Sequence, residues 1–489
     1  MLLIASAQAA NILVSLARMK LLALLTGPAG VGVLGIYNSL QSTAATVADL
    51  GLGNSGVREI AAAKDNPAVL SRVRRVLFAA SLVQGCIATA LMWFQRERIA
   101  NWLFGDTGYS SETGMVGIAV LLTLISASQT ALLQGLRRIS DLGKVTVLSA
   151  MTGTLAGLFA VRLQGEGGLI WFLIAQPASA VLVAWWFTRR VPGPAHQSWT
   201  AGAIWRVWKP MAALGTVFML AGLSSTMTLL LVRGMVRRDL GLEAAGLFAA
   251  SWAIAMTYIG FLLSAMGADY YPQLVEVIAD RVRANRLMND QMQLGLALGG
   301  PILLALTGLA PWVMALLYSK EFIPAAEMLQ WQSFGNVLKL AAWPLSFALV
   351  AAARSRIYLC VELGWNFMFL GFIWTGLSAF GLQIAGTGFA AAYLGYLITL
   401  RWTVGRLSSF RFARLSAMLL ATHLILSASM LALAHAAPRI AAVAGILLAF
   451  ATGFAGLRIV LAKIGPEGRF ASRLTAFFAT IRWPVRTDK

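Results

Sequence analysis

Apolar residues run along this chain in long stretches that glycines, prolines and clusters of charge interrupt. Fourteen of these stretches reach at least about 18 residues, the length that a helix needs to cross the hydrocarbon of a bilayer. They cover residues 2–25, 36–62, 74–94, 114–134, 142–162, 168–188, 207–232, 243–269, 294–317, 327–352, 357–378, 384–404, 412–434 and 440–462. The segments between them are too short for a soluble domain. The pattern therefore predicts an all-α polytopic membrane protein with about 14 transmembrane helices.

The composition agrees with this prediction. Hydrophobic residues make up 59% of the 489 residues and charged residues 12%, whereas a soluble domain carries about 25% charged residues. The mean hydropathy is +0.75. The two cysteines, Cys86 and Cys360, both fall in apolar spans and predict no disulfide framework.

The formal net charge of +20 is distributed unevenly between alternate loops. If both termini are cytoplasmic, the cytoplasmic segments hold 26 lysines and arginines and the opposite side holds 8. Such an excess is typical of the cytoplasmic loops of membrane proteins. The basic balance therefore indicates orientation, with both termini in the cytoplasm, rather than nucleic-acid binding.

The two halves of the chain resemble each other weakly. GIYNSL at residues 35–40 corresponds to GLFAAS at residues 246–251, and ALLQGLRRI from Ala131 corresponds to ALVAAARSRI from Ala348. Internal repeats of this kind predict two lobes of helices with a binding site between them. We predict two six-helix lobes around a central cationic cavity, at residues 1–190 and 207–405, with a basic cytoplasmic linker at 191–206, two extra helices at 406–462 and a basic cytoplasmic tail at 463–489.

Motifs that would indicate catalysis or cofactor binding have simpler explanations here. Gly30, Gly32 and Gly35 form G-x-G-x-x-G, but they follow Pro28 between two predicted membrane helices rather than a strand, so we interpret them as a turn and a helix-packing surface. No histidine has a carboxylate or cysteine at metal-ligand spacing. A membrane glycosyltransferase, polymerase or ligase stays as the enzyme alternative, although the longest outside loop, residues 95–113, shows no paired carboxylates. We predict a protein that is not an enzyme and holds no metal or cofactor.

A lysine lies in the middle of the tenth predicted span. Lys339 is 12 residues from Glu327, near one end of that span, which places it close to the bilayer midplane at about 1.5 Å per residue. A charge there costs roughly 2.5–3.5 kcal/mol on insertion scales. Gln332 and Asn336 share its helical face at i, i+4 and i+7. This polar face predicts a solvated cavity between helices.

Charges in other predicted spans extend the candidate site. Pairing of Asp49 with Arg18 or Lys20, and of Glu362 with Lys339, is one interpretation, and such pairs would only hold helices together. The embedded cations outnumber the embedded acids, however, and an excess of buried cations favours an anionic ligand. We therefore predict substrate binding by Arg18, Lys20, Arg58, Gln332, Asn336 and Lys339, and coupling or charge pairing by Asp49 and Glu362.

Three stretches carry a resemblance to a known family. They are LLALLTGPAGVGVLGIYNSLQ, ADLGLGNSGVREIAAAK and LYSKEFIPAAEMLQWQSFGNVLKLAAWPLSFALVAAARSRIYLCVELGWN. The chain resembles, over about residues 1–400, the Wzx-type O-antigen flippases of the multidrug/oligosaccharidyl-lipid/polysaccharide exporter superfamily. With the last two predicted spans, the chain has more than the twelve helices that are usual for this family.

The resemblance implies a lipid-linked oligosaccharide flippase in the bacterial inner membrane. Its substrate would be an undecaprenyl-diphosphate-linked O-antigen or exopolysaccharide repeat unit, and its partners membrane lipid, a polysaccharide polymerase and the chain-length machinery of lipopolysaccharide biosynthesis. Two other transport functions remain open, a peptidoglycan lipid flippase and a drug or ion antiporter of the same fold. An antiporter for cationic drugs would favour an acidic cavity, which these residues do not predict.

The charge distribution makes a topology prediction. Reporter fusions or cysteines at Ser198 and Arg473 should report the cytoplasm, and at Thr107 the periplasm, because basic loops stay on the cytoplasmic side. Accessibility to an impermeant thiol reagent in intact cells measures this. Ser198 and Arg473 on opposite sides of the membrane would contradict the predicted number of spans.

Overall fold

The computed structural model describes residues 2–191, 201–464 and 480, and throughout these parts of the chain the regular elements are helices. Most of the predicted linker and tail, including Ser198 and Arg473, lies outside the described residues. The α-helices are α1 (Leu2–Asp49), α2 (Leu52–Ala63), α3 (Pro67–Phe94), α4 (Arg96–Phe104), α5 (Ser110–Gly135), α6 (Ile139–Gln164), α7 (Gly168–Thr188), α8 (Ala201–Val277), α9 (Arg281–Leu317), α10 (Ala326–Ala351), α11 (Ser355–Phe380), α12 (Gln383–Ser408), α13 (Arg414–Ala436) and α14 (Pro438–Ile464).

The helices confirm the predicted membrane fold. Within the described residues, 11 helical segments are long and apolar enough to cross a bilayer. Three of these segments overlap two predicted spans each. One lies in α1, which has a non-helical residue at Gly27, one lies in α8, which has a non-helical residue at Gly241, and the third joins α6 to α7. Each of the 14 predicted spans therefore overlaps a helix or one part of a broken helix.

The first helix reverses direction at Gly27. Arg18 and Ser42 line the same cavity, although 24 residues of straight helix would separate them by roughly 36 Å. Gly27 has φ +63°, a left-handed conformation that glycine adopts readily, and Pro28 follows it. The turn brings the two parts of α1 alongside each other.

The second predicted span is interrupted where the sequence showed no break. Leu50 and Gly51 both have positive φ, which ends α1 at Asp49 and starts α2 at Leu52. The Gly53 N–H donates to a carboxylate oxygen of Asp49 at 3.1 Å. Asp49 therefore lies at a break between two helices and not within one continuous span.

The chain divides into two compact units. The N-terminal unit comprises residues 1–249 and 316–321, and the C-terminal unit comprises residues 250–315 and 322–489. The predicted lobe boundaries at 190 and 207 stay a prediction.

Glycines permit close helix packing in the N-terminal unit. A Cβ atom added at Gly32 would lie 2.3 Å from the carbonyl oxygen of Leu242, and one at Gly246 would lie 1.8 Å from that of Pro28. Gly35 faces Ala249 in the same contact. The glycines of the G-x-G-x-x-G motif thus include a helix-packing surface, as the sequence predicts.

In the C-terminal unit, hydrogen bonds and small residues pack the two extra helices, α13 and α14, against α9. Asn289 of α9 accepts the backbone N–H of Ala413 at 2.8 Å, at the start of α13, and Gln293 donates to Ser416 at 2.9 Å. Gly308 and Gly445 bring α9 and α14 close enough that a Cβ added to either would lie 3.1 Å from the other's Cα. The first half of α9 thus contacts α13 and the second half contacts α14, so both extra helices belong to this unit.

The close contact at Gly246 can be tested by substitution. Gly246→Ala should lower the thermal unfolding temperature of the purified protein, because the added methyl group would overlap the backbone of Pro28 and relieving such an overlap costs about 1–3 kcal/mol. Gly260→Ala is the matched control, since Gly260 lies in the same helix with open space around it. Equal unfolding temperatures for the two variants would contradict the packing described here.

Candidate functional site

A polar cavity lies inside the N-terminal unit. Its volume is about 260 Å³, and α1, α5 and α7 line it. We call it the Arg18 cavity, because Arg18 is the charged residue among those described as lining it. Its other polar side chains are Asn38, Gln41, Ser42, Thr123 and Gln176.

The Arg18 guanidinium has few partners among the described residues. Nη1 donates to the side-chain oxygen of Gln176 at 3.2 Å, and the ring of Phe172 lies 5.6 Å from the guanidinium carbon. Nε is buried without a hydrogen-bond partner among the described residues. Guanidinium presents five N–H donors in a planar fork, so this cation has donors left for an anion in the cavity.

A second buried guanidinium lies near the first. Arg233 of α8 is 8% exposed and donates to the carbonyl oxygen of Gly35 and, at 2.6 Å, to the hydroxyl of Ser39. Tyr318 lies within electrostatic range of both Arg233 and Arg18. The N-terminal unit therefore concentrates positive charge beside the Arg18 cavity.

Arg233 was not among the predicted site residues, because the seventh predicted span ends at residue 232 and leaves Arg233 in the following loop. In the structure α8 stays helical past Arg233 to the break at Gly241. Gly241, eight residues after Arg233, is the feature of the sequence that could have indicated this later end of the helix.

Lys339 lies in the C-terminal unit among weak partners. Its ammonium nitrogen is 3.6 Å from the sulfur of Met256 and 5.6 Å from the ring centre of Tyr393. Glu362 is within electrostatic range of the ammonium. Within the described chain, no carboxylate forms an ion pair with Lys339, so a thioether and an aromatic face surround this charge.

Gln332 and Asn336 join α10 to α8. Both side chains are fully buried. Ser251 donates its hydroxyl proton to Gln332 at 2.6 Å, and Asn336 donates to the carbonyl oxygen of Ala255 at 3.1 Å. These bonds position the helix that carries Lys339, and substrate binding by the two amides stays a prediction.

The two acids that the sequence singled out bind other groups. Glu362 accepts a hydrogen bond from the hydroxyl of Tyr396, and Asp49 accepts the N–H of Gly53. Over the described residues, the structure shows no ion pair of Asp49 with Arg18 or of Glu362 with Lys339. Their predicted coupling role is untested by these contacts.

The remaining two predicted cations do not line the Arg18 cavity. Lys20 is half-buried on α1, two residues beyond Arg18, and Arg58 is exposed on α2. Arg233, rather than Arg58, is the cation that shares the neighbour Tyr318 with Arg18.

Comparison with known proteins agrees with this architecture. The model of a family described as "Polysaccharide biosynthesis protein" matches residues 21–327, which is more than half of the chain. The chain belongs to this family. Membership agrees with the resemblance that the three sequence stretches carry.

Relatives and solved structures place the family in a larger fold group. The Lipid III flippase of Escherichia coli (strain K12) is 24% identical over 390 residues, covering 77% of this chain and 90% of the relative. The inward closed structure of the Lipid II flippase MurJ is similar with a TM-score of 0.67 and 12% identity, covering 94% of this chain and 100% of MurJ. An inward-facing MATE family transporter of the MOP superfamily has a TM-score of 0.61 and 16% identity, covering 82% and 95%. The predicted superfamily fold is confirmed.

The charge of the Arg18 cavity can be measured with thiol reagents. In a chain whose Cys86 and Cys360 are replaced by alanine, Ser42→Cys should react about tenfold faster with an anionic methanethiosulfonate than with a cationic one, after correction for the rates with a free thiol. A tenfold preference corresponds to about 1.4 kcal/mol of attraction.

Adding Arg18→Gln should abolish this preference and leave the reaction with a neutral reagent unchanged. A preference that survives the loss of Arg18 would show that another group sets the potential of the cavity.

Proposed function

We propose that this protein is a flippase that moves an undecaprenyl-diphosphate-linked oligosaccharide, an O-antigen or exopolysaccharide repeat unit, from the cytoplasmic to the periplasmic leaflet by alternating access. The protein would bind the diphosphate head while the polyprenyl tail stays in lipid. Transport of this kind forms and breaks no covalent bond, which agrees with a family of transporters rather than enzymes.

The observation that carries the proposal is the presence of embedded cations that form no ion pair with a carboxylate among the described residues. Arg18 donates to a neutral amide and faces a polar cavity, and Lys339 contacts a thioether and an aromatic ring. Hydrogen bonds between such cations and phosphate oxygens are charge-assisted and strong. A diphosphate would supply negative charge at close range, where the described residues place only an amide, a thioether and aromatic rings against these cations.

The membrane potential favours export of such a head group. Moving about two negative charges outward across a membrane whose inner side is about 100 mV negative releases roughly 4–5 kcal/mol. The relatives support the same class of substrate, since the Escherichia coli protein and MurJ are named flippases of Lipid III and Lipid II. A peptidoglycan or another lipid-linked precursor is therefore the second candidate cargo.

Deletion of the gene from its source bacterium tests the proposal. The proposed function predicts accumulation of the complete lipid-linked repeat unit on the cytoplasmic side and loss of surface polysaccharide. Accumulation of the peptidoglycan precursor would favour the second cargo. An incomplete repeat unit, or a complete one displayed without polymerisation, would indicate a glycosyltransferase, polymerase or ligase.

Lys339 provides the residue-level test. Lys339→Met should keep normal abundance in the membrane, because it removes a charge that is expensive to embed, yet should lower export of the glycan roughly ten- to a hundredfold through loss of a charge-assisted bond of about 1.5–3 kcal/mol. Lys339→Arg should retain partial export, since the charge survives with altered geometry. Surface polysaccharide and protein abundance are measured together in the deletion strain.

Lys144→Met is the matched control, because Lys144 is an exposed lysine at the start of α6. Full glycan display by Lys339→Met at normal abundance would assign Lys339 to helix packing beside Glu362.

A further inference from the structure

A second pocket of the N-terminal unit lies apart from the Arg18 cavity. Its volume is about 440 Å³, and it is formed by the first turns of α3 and the last turns of α5 and α7. All three helix ends adjoin loops that the charge distribution predicts to be cytoplasmic. None of the residues described as lining the pocket carries a carboxylate.

Arginines form one end of this pocket. Arg74 donates to the carbonyl oxygens of Thr188 and Val191 at 3.3 and 3.4 Å, which uses two of its five N–H donors. Arg75 lies beside it and is exposed. This end of the pocket can bind a phosphate group.

Aromatic side chains form another part of the pocket wall. Phe78 is 43% exposed and Trp185 is 53% exposed. Tryptophan is enriched where a membrane helix meets the polar headgroups, and Arg189 stacks on the neighbouring Trp186 at 3.7 Å. The pocket therefore combines cationic groups with an apolar wall, as a lipid headgroup site at the membrane interface requires.

A buried acceptor in the pocket lacks a donor. Gln129 is 9% exposed, it lines the pocket, and its side-chain oxygen has no hydrogen-bond partner among the described residues. A buried acceptor without a donor is unfavourable, because it has lost its hydrogen bonds to water. A ligand that carries a hydroxyl group beside its phosphate would satisfy this oxygen.

We propose that this pocket binds the headgroup of phosphatidylglycerol from the surrounding bilayer. The arginines bind the phosphodiester, the glycerol hydroxyl donates to Gln129, and the acyl chains pass over Phe78 and Trp185. Basic pockets between membrane helices are recognised sites for anionic lipid headgroups. The site is separate from the transport site proposed above and does not depend on that function.

Native mass spectrometry of the purified full chain tests this site with defined lipids. Wild-type protein should bind phosphatidylglycerol more tightly than phosphatidylethanolamine. Arg75→Gln should weaken phosphatidylglycerol binding about fivefold, as expected for one basic residue at a membrane surface, whereas Lys144→Gln, the same loss of charge at an exposed position outside the pocket, should not. Arg75 is chosen because replacing Arg74 would also remove the bonds to the end of α7.

Gln129→Leu tests the hydroxyl contact. Wild-type protein should prefer phosphatidylglycerol to phosphatidylmethanol, which lacks the glycerol hydroxyls, and Gln129→Leu should remove that preference. Equal effects of Arg75→Gln and Lys144→Gln, or no preference for phosphatidylglycerol over phosphatidylethanolamine, would overturn the proposal. Displacement of phosphatidylglycerol by equimolar undecaprenyl phosphate, with the same sensitivity to Arg75→Gln, would reassign the pocket to the polyprenyl substrate.

Discussion

A positive charge inside a membrane protein is stable only if something near it supplies negative charge or dipoles, and this requirement determines how the candidate sites are built. Arg233 meets it with a backbone carbonyl and a hydroxyl. Arg18 and Lys339 meet it less completely among the described residues. Arg18 has one amide and an aromatic ring, and Lys339 has a thioether, an aromatic ring and a carboxylate within electrostatic range but not in an ion pair. Because desolvation of an ion costs several kcal/mol, these two buried charges are costly to the fold, and this cost is the reason for proposing that an anion binds them.

The helix breaks make this arrangement possible. Gly27 turns α1 back so that Arg18 meets the polar residues of the same helix further along the chain. Gly246 lets α8 approach Pro28 closely, and this packing accompanies the bond from Arg233 to Gly35. The left-handed conformation of Gly27 and the missing side chain of Gly246 thus help to position the two guanidinium groups. The glycines contribute no chemistry of their own.

Hydropathy alone predicted the helices, because the length of an apolar run is a local property that the bilayer thickness constrains directly. The partners of a side chain come from distant parts of the sequence, so the contacts of the site were predicted less completely than the helices. Periodicity places Gln332, Asn336 and Lys339 on one helical face. It does not show that Ser251 and Ala255 of another helix supply partners for the two amides. Arg233 was missed for a related reason, since hydropathy falls at a charge whether the helix ends there or continues. The left-handed residues Leu50 and Gly51 likewise left no clear mark in the apolar pattern.

The bonds of the two acids bear on how a bound anion could leave. An internal carboxylate that swung onto Lys339 or Arg18 would compete with a diphosphate and promote its release. Glu362 instead accepts from Tyr396, and Asp49 accepts from the start of α2, so neither is paired with either cation in this conformation. For the proposed cargo, release would then depend on water entering as the site opens outward, because water weakens the attraction of unit charges about fourfold relative to an effective dielectric of 20. The potential acts in the same direction, since it favours the outward position of the anion. Under the proposed function, hydration of the opening site and the membrane potential therefore both favour release of the anion on the outer side.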